Sequence, residues 1–442
     1  MESKRNDLFI IVGLVALAVS IQIFYWMKLG YQFDWDQERD ALMVSEIVNQ
    51  HKFTLIGPRV ANENGFFNGP YHYYFLLPFF LATGGHPASG IGLGALVVAL
   101  TVSAYYLVGK KLWNSRVGFL AGIIYALSGQ LVIWNAMYGP LLAVVGFYLI
   151  FQAMNGKIKW IWPAALAGLA ANIHLVPASI SISLFIGILL SKKKPSIRGS
   201  FQAAIVYLVW FLPLLIFDLR HDFLNIRKAV EFVSGNAGLV WDKMNFWRVW
   251  WRAWNVFNLT AWNSEWRYLV DRILAVLCLA LGWIWIGHNR RFKIFTISWL
   301  LIPLVLLFRY KGNLPEYYFR VGWSLLPLIF ASLVARVRWL TLLTVGLLMI
   351  NLPYTRIASL TVALADKLTL VDYLVNQKQD KYFNVSSNLP LGQSNGYEYL
   401  FRWRGMLPDR SNRGHLYTVI DLPTTDKGNL VVTSGSIGLI RR

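Results

Sequence analysis

The 442-residue sequence is poor in cysteine, in charged residues and in acidic side chains. Its single cysteine is Cys278, so neither a disulfide within the chain nor a cluster of thiolates on a metal is possible. Only 14% of the residues are charged, whereas a soluble globular protein carries about 25%. The 22 acidic residues are outnumbered by 42 lysines and arginines, for a net charge of +20. So little charge excludes an ordinary soluble protein.

Apolar residues make up 56% of the chain. They occur in runs long enough to cross a hydrocarbon core of about 30 Å. The pattern predicts an all-α polytopic membrane protein, since the strands of a membrane barrel would alternate polar and apolar residues. We expect about eleven transmembrane helices, although the fifth and sixth could be one segment broken around Asn172, His174 and Pro177. The predicted spans are 8–27, 88–109, 116–134, 139–154, 160–173, 175–190, 201–218, 272–287, 294–308, 320–335 and 338–353.

Lysine and arginine cluster in every second loop between these spans. This alternation is the positive-inside pattern and predicts a cytoplasmic N-terminus. The first apolar segment has no small-residue cleavage site, so we interpret it as a retained helix. The basic loops explain much of the net charge without nucleic acid, and the excess favours anionic lipid headgroups or phosphates. The clusters are Lys4 and Arg5, then Lys110, Lys111 and Arg116, then Lys157 and Lys159, then 192–198, 290–293 and 336–338.

Two regions differ from the transmembrane spans. Residues 70–84 are apolar but short and rich in tyrosine and proline. This composition favours a helix that lies on the outward-facing surface of the membrane. After residue 353 the chain turns polar, with one helix expected at 366–376 and strands within 429–440. We therefore predict a transmembrane domain over 1–353, with a first outer loop at 28–87, and a small extracytoplasmic α/β domain over 354–442.

Acidic side chains crowd into the segment directly after the first span, at Asp34, Asp36, Glu38 and Asp40. Carboxylates at a membrane surface repel each other and hold water, so the crowding indicates acid–base or metal chemistry there. The alternative is a solvated acidic loop in which Asp34 caps a helix beginning near Asp36. A divalent metal is possible if Asp34, Asp36 and His72 converge, but the spacing has no ligand signature, and no other cofactor is indicated.

Two short motifs, together with two longer stretches, carry a family resemblance. DQERDA at 36–41 resembles a D-E-x-x-Y motif, and GPYHYY at 69–74 resembles a G/K-P-x-x-Y-Y segment. With GKKLWNSRVGFLAGIIYALS at 109–128 and RYKGNLPEYYF at 309–319, the chain resembles bacterial membrane glycosyltransferases related to protein O-mannosyltransferases and to the lipid A aminoarabinose transferase. The resemblance follows the same order along nearly the whole chain. It departs from the family at Gln37, at Asp40, and at Asn135, where the family often has a second aspartate.

The resemblance implies the C-type glycosyltransferase fold and a hexosyl- or pentosyltransferase. The donor would be a polyprenyl-phosphate-linked sugar, and the acceptor a hydroxyl of a protein, lipid or glycan. The sugar would be transferred in a single displacement, which inverts the anomeric centre. No nucleotide would be needed. Asp36 would be the base, with Asp34 as a second catalytic candidate. The implied donor-phosphate ligands are Lys311, Arg309, Arg320, Arg220 and His221, and the implied substrate pocket comprises Tyr71, His72, Tyr74 and Asn135.

Two other functions fit the same composition. A transporter or flippase of a lipid-linked sugar would also need a basic, aromatic groove, but transporters commonly carry ionisable groups near mid-membrane. Here the spans are nearly free of such groups, which favours chemistry at one surface. A non-catalytic subunit for assembling envelope polymers would not need Asp36 and Lys311 close together. His174 is better explained as a buried, hydrogen-bonded histidine than as a catalytic one.

Overall fold

The structure is a computed structural model. It describes residues 2–60, 65–128, 133–234, 246–250, 290–310, 314–336, 362–376, 382–390, 392–409, 414–423 and 428–442. The expected spans at 272–287 and 338–353 fall outside these residues, as do Cys278 and Lys311.

The described residues are mostly helical. We number the helices in chain order. They are α1 (Glu2–Leu29), α2 (Trp35–Gln50), α3 (Tyr71–Ala82), α4 (Gly90–Leu112), α5 (Ser115–Ser128), α6 (Gly139–Met154), α7 (Ile161–Ile173), α8 (Ser179–Leu190), α9 (Ile197–Val209), α10 (Leu212–Arg220), α11 (Leu224–Ser234), α12 (Arg290–Leu307), α13 (Arg320–Trp323), α14 (Leu326–Val334), α15 (Leu364–Asn376) and α16 (Tyr397–Trp403). Three short 3-10 helices occupy Pro87–Ser89, Asn135–Tyr138 and Glu316–Phe319.

Three helical stretches of the described chain are long and apolar enough to cross a membrane by themselves. They are Arg5–Met27, Pro87–Leu112 and Asn135–Met154. Two bent helix pairs raise the number to 5 if each pair is one span. On α1, Leu8, Phe9 and Val12 are 61%, 64% and 56% exposed. Exposed side chains of this kind favour a hydrocarbon environment over water, as expected of a membrane-spanning helix.

Two predicted spans are bent, and a proline lies at each bend. The span expected at 201–218 consists of α9 and α10, which meet at 62°. The span expected at 320–335 consists of two helical pieces, Tyr317–Trp323 and Leu326–Val334, which meet at 43°. Pro213 and Pro327 lie in the first turn of the second helix of each pair. Because proline lacks the backbone donor and clashes with the preceding turn, an apolar run is interrupted there.

The chain divides into two compact units, each of which is described by itself. The first unit contains most of the apolar helices. Tyr105 on α4 donates a hydrogen bond to the carbonyl of Ser324 at 2.7 Å, and Trp299 on α12 donates to that of Val321 at 3.2 Å. Buried donors that reach backbone acceptors fix how these helices pack. The first unit comprises Met1–Ile21, Thr54–His72 and Ala95–Thr355.

The second unit contains α2 and the described part of the C-terminal region. A four-stranded sheet has the order β1-β2-β4-β3. Strand β1 pairs with β2 in parallel, with Phe383 opposite His415, and the other pairs are antiparallel. Helix α15 confirms the helix expected at 366–376, and β3 and β4 confirm strands within 429–440. The boundary expected at 353/354 stays a prediction. The strands are β1 (Phe383–Ser387), β2 (His415–Asp421), β3 (Asn429–Ser434) and β4 (Ile437–Arg441), and the unit comprises Gln22–Phe53, Tyr73–Gly94 and Arg356–Arg442.

Candidate active site

The acidic segment forms the beginning of helix α2. Asp34 is the residue before the helix, in an extended conformation, and its backbone N–H donates to Oε1 of Gln37 at 3.1 Å. An acidic N-cap with glutamine three residues later satisfies backbone donors that a helix start leaves unpaired. Helical periodicity then divides the four carboxylates into two faces, because residues four apart lie side by side. Asp34 and Glu38 share one face, and Asp36 and Asp40 share another.

On the first face, the carboxylate of Asp34 pairs with a lysine from the C-terminal region. Lys367 on α15 is 0% exposed, and its ammonium donates to Oδ1 of Asp34 at 2.6 Å. The same ammonium donates to the carbonyls of Phe33 at 2.8 Å and Asn395 at 2.7 Å. Gln32 donates to the second oxygen of Asp34 at 2.7 Å. All three protons of the ammonium therefore have acceptors, and both oxygens of Asp34 are engaged.

Glu38 caps a helix of the C-terminal region. Its Oε2 accepts from the backbone N–H of Gly396 at 2.8 Å, and its Oε1 accepts from that of Tyr399 at 3.2 Å. These donors begin helix α16, and a carboxylate at a helix N-terminus also meets the positive end of the helix dipole. Gly396 has a φ of +104°, and an added Cβ would lie 2.5 Å from the carbonyl oxygen of Phe33. Glu38 is thus a structural carboxylate.

The second face is organised by Arg39. Its guanidinium donates to Oδ1 of Asp36 at 2.7 Å, and to Oδ1 of Asp40 at 2.9 and 2.7 Å. Burial alone would lower the pKa of Arg39, but the charges of Asp40 and Asp36 outweigh it and raise that pKa. The side chain of Asp40 is 3% exposed, that of Asp34 is 11%, and that of Asp36 is 30%. With Glu38 also buried, Asp36 is the most accessible carboxylate of the four.

Two buried tyrosines lie beside Asp40, at the position where the resembling family has a tyrosine. Burial, and then the charge of Asp40, raises the pKa of Tyr31 and that of Tyr73. Tyr73 also forms a side-chain hydrogen bond with Arg39. Asp40 therefore belongs to a buried network that fixes the side chain of Arg39. Tyr74, one of the predicted pocket residues, lies in this unit too, and its ring centroid is 6.4 Å from that of Phe53.

In the first unit, the Gly-Pro motif meets the end of α7 and the chain segment that follows α5. The backbone N–H of Gly69 donates to the carbonyl of Asn172 at 2.8 Å, and an added Cβ on Gly69 would lie 2.7 Å from Oδ1 of Asn172. His72 is 2% exposed, and its Nδ1 is 3.1 Å from the hydroxyl of Tyr138. The close approach at Gly69 explains why glycine precedes the proline here.

The other predicted pocket residues of this unit have backbone partners. Tyr71 donates to the carbonyl of Trp210 at 2.6 Å, and Asn135 donates through Nδ2 to that of Ile173 at 2.8 Å. Oδ1 of Asn135 is buried and has no hydrogen-bond partner within the described residues. A buried acceptor without a partner is rare in folded proteins, which makes Oδ1 of Asn135 a candidate ligand contact.

His174 is enclosed by aromatic rings. Its ring centroid lies 5.9 Å from those of Trp134, Tyr317 and Tyr318. Its Nδ1 accepts from the backbone N–H of Val176 at 3.3 Å. These contacts are those of a buried, hydrogen-bonded histidine, the interpretation that the sequence favoured.

The predicted cationic residues occupy two parts of the first unit. Arg309 follows α12, is half-buried, and has an Nε without a hydrogen-bond partner among the described residues. Arg320 begins α13. Arg220 and His221 are exposed at the end of α10, where the His221 ring stacks on Phe217 with 4.1 Å between centroids. In the part of the chain that the structure describes, no group of three His, Cys, Asp or Glu side chains could hold a metal ion.

Sequence reasoning missed Lys367, Tyr138 and the capping role of Glu38. A buried lysine carries no local signal, because its partner Asp34 is 333 residues away in the chain. Tyr138 lies three residues after Asn135 in the WNAMYGP stretch. This proximity to a predicted pocket residue was its only signal in the sequence.

The helices and the small sheet have the fold of the C-type membrane glycosyltransferases, a class of multi-pass membrane protein. ArnT from Cupriavidus metallidurans bound to undecaprenyl phosphate is similar over 97% of both chains, with a TM-score of 0.60 and 12% identity. The Archaeoglobus fulgidus oligosaccharyltransferase tethered with an acceptor peptide has a TM-score of 0.51 and 11% identity, over 94% of this chain and 69% of that one.

One curated relative is similar in sequence. It is the undecaprenyl phosphate-alpha-4-amino-4-deoxy-L-arabinose arabinosyl transferase of Wigglesworthia glossinidia brevipalpis, 21% identical over 348 residues. The alignment covers 72% of this chain and 58% of that protein, so the chain spans less than two thirds of the relative. No family model matches the chain. The resemblance drawn from the two motifs is confirmed by these similarities.

Proposed function

We propose that the chain is a glycosyltransferase that moves a monosaccharide from a polyprenyl-phosphate carrier to an acceptor hydroxyl. The observation that carries the proposal is the accessibility of the Asp36 side chain. Asp36 lies in the first turn of α2 with 30% of its side chain exposed, whereas Asp34, Glu38 and Asp40 are buried. The donor class is supported by the arabinosyl transferase relative, whose name specifies an undecaprenyl phosphate-linked sugar.

In the proposed reaction the acceptor hydroxyl attacks the anomeric carbon of the donor sugar. The bond between that carbon and the phosphate oxygen breaks, and its electron pair leaves with the lipid phosphate. The hydroxyl proton goes to the carboxylate of Asp36, a transfer worth about 10²–10⁴-fold in rate. Because this is a single displacement, the anomeric configuration inverts. Arg39 orients Asp36 through one oxygen, and Asp34 has a supporting role through its buried ion pair.

The leaving phosphate gains negative charge, which fixed cations in a dry site stabilise. Arg309 is the first described candidate, because its buried Nε has no partner among the described residues. Lys311 and Arg320 belong to the same segment, and Lys311 lies outside the described residues. Arg220 and His221 are the second pair of candidates, since they are exposed at the end of α10.

The sugar and the acceptor need polar and aromatic contacts. Tyr71, His72, Tyr74 and Asn135 are the proposed pocket residues. Asn135 is the best supported, because its buried Oδ1 can accept a hydrogen bond from a sugar hydroxyl.

The reaction is proposed to occur on the outer side of the cytoplasmic membrane. The basic clusters on every second loop support a cytoplasmic N-terminus. With about eleven spans, α2 and residues 354–442 would then be extracytoplasmic. The acceptor would be a protein, a lipid or a glycan of the cell envelope.

The test uses purified protein in lipid, a panel of radiolabelled polyprenyl-phosphate monosaccharides, and a membrane extract as the acceptor source. Wild type is compared with Asp36→Asn and with Glu398→Gln. Glu398 is a matched control because it is an exposed carboxylate that pairs with an exposed arginine. We expect transfer from one donor by wild type and by Glu398→Gln, and transfer slower by about 10²–10⁴-fold by Asp36→Asn. Near-normal transfer by Asp36→Asn would remove Asp36 as the base, and donor binding without transfer by wild type would favour a carrier or flippase.

A further inference from the structure

The segment between α1 and α2 is held by the beginning of α15. The backbone N–H of Leu364 donates to the carbonyl of Tyr31 at 2.7 Å. Three residues further along α15, the ammonium of Lys367 reaches the carbonyl of Phe33 and the carboxylate of Asp34. Residues 31–34 thus run along the first turn of α15 and enter α2 two residues before Asp36.

The ammonium of Lys367 is fully enclosed at this position. The side chain is 0% exposed, and the Tyr397 ring centroid lies 5.3 Å from Nζ. The third proton goes to the carbonyl of Asn395 at 2.7 Å. Burial lowers the pKa of Lys367, and the charges of Asp34 and Glu38 only partly oppose this effect. Replacing a buried ion pair by apolar groups is often neutral for stability, whereas removing one partner leaves a buried charge uncompensated.

A second tie acts on the same face of α2. Glu38, one helical turn after Asp34, accepts from Gly396 and Tyr399. The C-terminal region therefore grips α2 at two successive turns of one face. These two contacts oppose rotation of α2 about its axis. They therefore fix the direction in which Asp36 projects from the other face.

We propose that Lys367 is a positioning residue for Asp36. Its ammonium locks the residues before α2 onto α15, so that the carboxylate of Asp36 keeps the orientation that proton removal from the acceptor requires. The proposal rests on the proposed function, in which Asp36 is the base. Misplacing a reacting group by about 1 Å can cost about 10²-fold in rate, so the effect is measurable even though Lys367 does not touch the substrate.

The test is a double-mutant cycle on full-length protein in lipid, with transfer from a labelled polyprenyl-phosphate sugar as the readout. The variants are Lys367→Met, Asp36→Asn and the combination. We expect Lys367→Met to lower kcat by about 10²-fold with the donor KM within about threefold. In the Asp36→Asn background the same change should alter the residual rate by less than about threefold, because there is no base left to position. A merely structural role would reduce the rate equally in both backgrounds.

Two further variants keep the test decisive. Arg404→Met is the matched control, because the Arg404–Asp372 pair also reaches α15, at 2.7 Å, but is exposed; its kcat should stay near wild type. If Lys367→Met does not fold, Asp34→Asn with Lys367→Met takes its place in the cycle, since removing both charges leaves neither one buried and unpaired. An equal rate loss in both backgrounds, or a normal kcat in Lys367→Met, overturns the positioning role alone. Near-normal turnover in Asp36→Asn overturns the proposed function as well.

Discussion

The acidic residues at the start of α2, in the second unit, and two buried polar groups of the first unit differ in their partners. In the second unit the carboxylates of Asp34, Glu38 and Asp40 have cationic or backbone partners within about 3 Å. In the first unit, Oδ1 of Asn135 and Nε of Arg309 are buried without a partner among the described residues. A buried polar group with a partner contributes to the structure, whereas one without a partner needs an explanation, of which contact with a ligand is one. From this comparison we propose structural tasks for Asp34, Glu38 and Asp40 and ligand contacts for Asn135 and Arg309. Asp36, which pairs with Arg39 but keeps 30% of its side chain exposed, is the proposed exception on α2.

The largest expected effect comes from that exception. Asp36→Asn removes the proposed base, so kcat should fall by about 10²–10⁴-fold. Because the change keeps the shape of the side chain, the midpoint of thermal unfolding should stay within a few degrees of wild type. The measurement is steady-state transfer alongside thermal unfolding in lipid. Loss of fold together with loss of transfer would make Asp36 another structural carboxylate of α2.

The second prediction concerns Arg309, whose buried Nε has no partner among the described residues. Arg309→Gln removes a charge that is proposed to bind the donor phosphate, and a charge-assisted hydrogen bond of this kind is worth about 10–100-fold. We expect most of the loss as weaker donor binding, measured as KM and by direct binding of the labelled donor. Arg402→Gln is the control, because this arginine is exposed and pairs with Glu398. Unchanged donor binding in Arg309→Gln would show that its buried Nε does not serve the donor.

The third prediction is a loss of stability without a loss of donor binding. Glu38→Gln keeps one acceptor for the start of α16 but removes the charge that two backbone donors share. The free energy of unfolding should fall by about 1–2 kcal/mol. Denaturation of the protein in detergent, followed by tryptophan fluorescence, measures the change, and donor binding by the same variant should match wild type. Weaker donor binding at full stability would place Glu38 among the ligand-contacting residues.

The smallest effect is expected at His86, before α4. Its Nδ1 accepts from the backbone N–H of Ala88 at 3.1 Å, which requires the neutral ring. Burial, and then the charge of Arg404, lowers the pKa of His86 below its ordinary value of 6.5. Its contribution to stability is therefore complete above pH 6.5 and is lost as the pH falls through the lowered pKa. An NMR titration of the labelled imidazole should give a midpoint below 6.5; a midpoint above it would contradict the contact.

The sequence predicted local features well. The apolar run at 139–154 coincides with α6, Gly139–Met154, and the acidic segment begins a helix at Trp35, with Asp34 before it. Both depend on neighbouring residues, namely apolar run length and capping chemistry. The run expected at 116–134 shows the limit, because Ile133 and Trp134 are described and are not helical. Hydropathy does not reveal where a helix ends when the residues that follow are also apolar.

The tertiary contacts of the site could not be predicted. Four carboxylates close together in the sequence suggested one acidic cluster, but helical geometry separates them into two faces. The partners that distinguish these faces are Lys367 and Gly396, both more than 300 residues further along the chain. Which carboxylate remains accessible depends on those partners. The proposal for Asp36 came from the motif, and its accessibility came from the fold.

The most direct test of the account is a comparison of donors by purified wild-type protein in lipid. One labelled monosaccharide is supplied on a polyprenyl phosphate and, separately, as its nucleotide sugar, each with the same acceptor extract. The account predicts transfer from the lipid-linked donor alone, with a product whose anomeric configuration is opposite to that of the donor. Transfer from the nucleotide sugar alone, or a product that retains the donor configuration, would contradict a single displacement from a lipid phosphate.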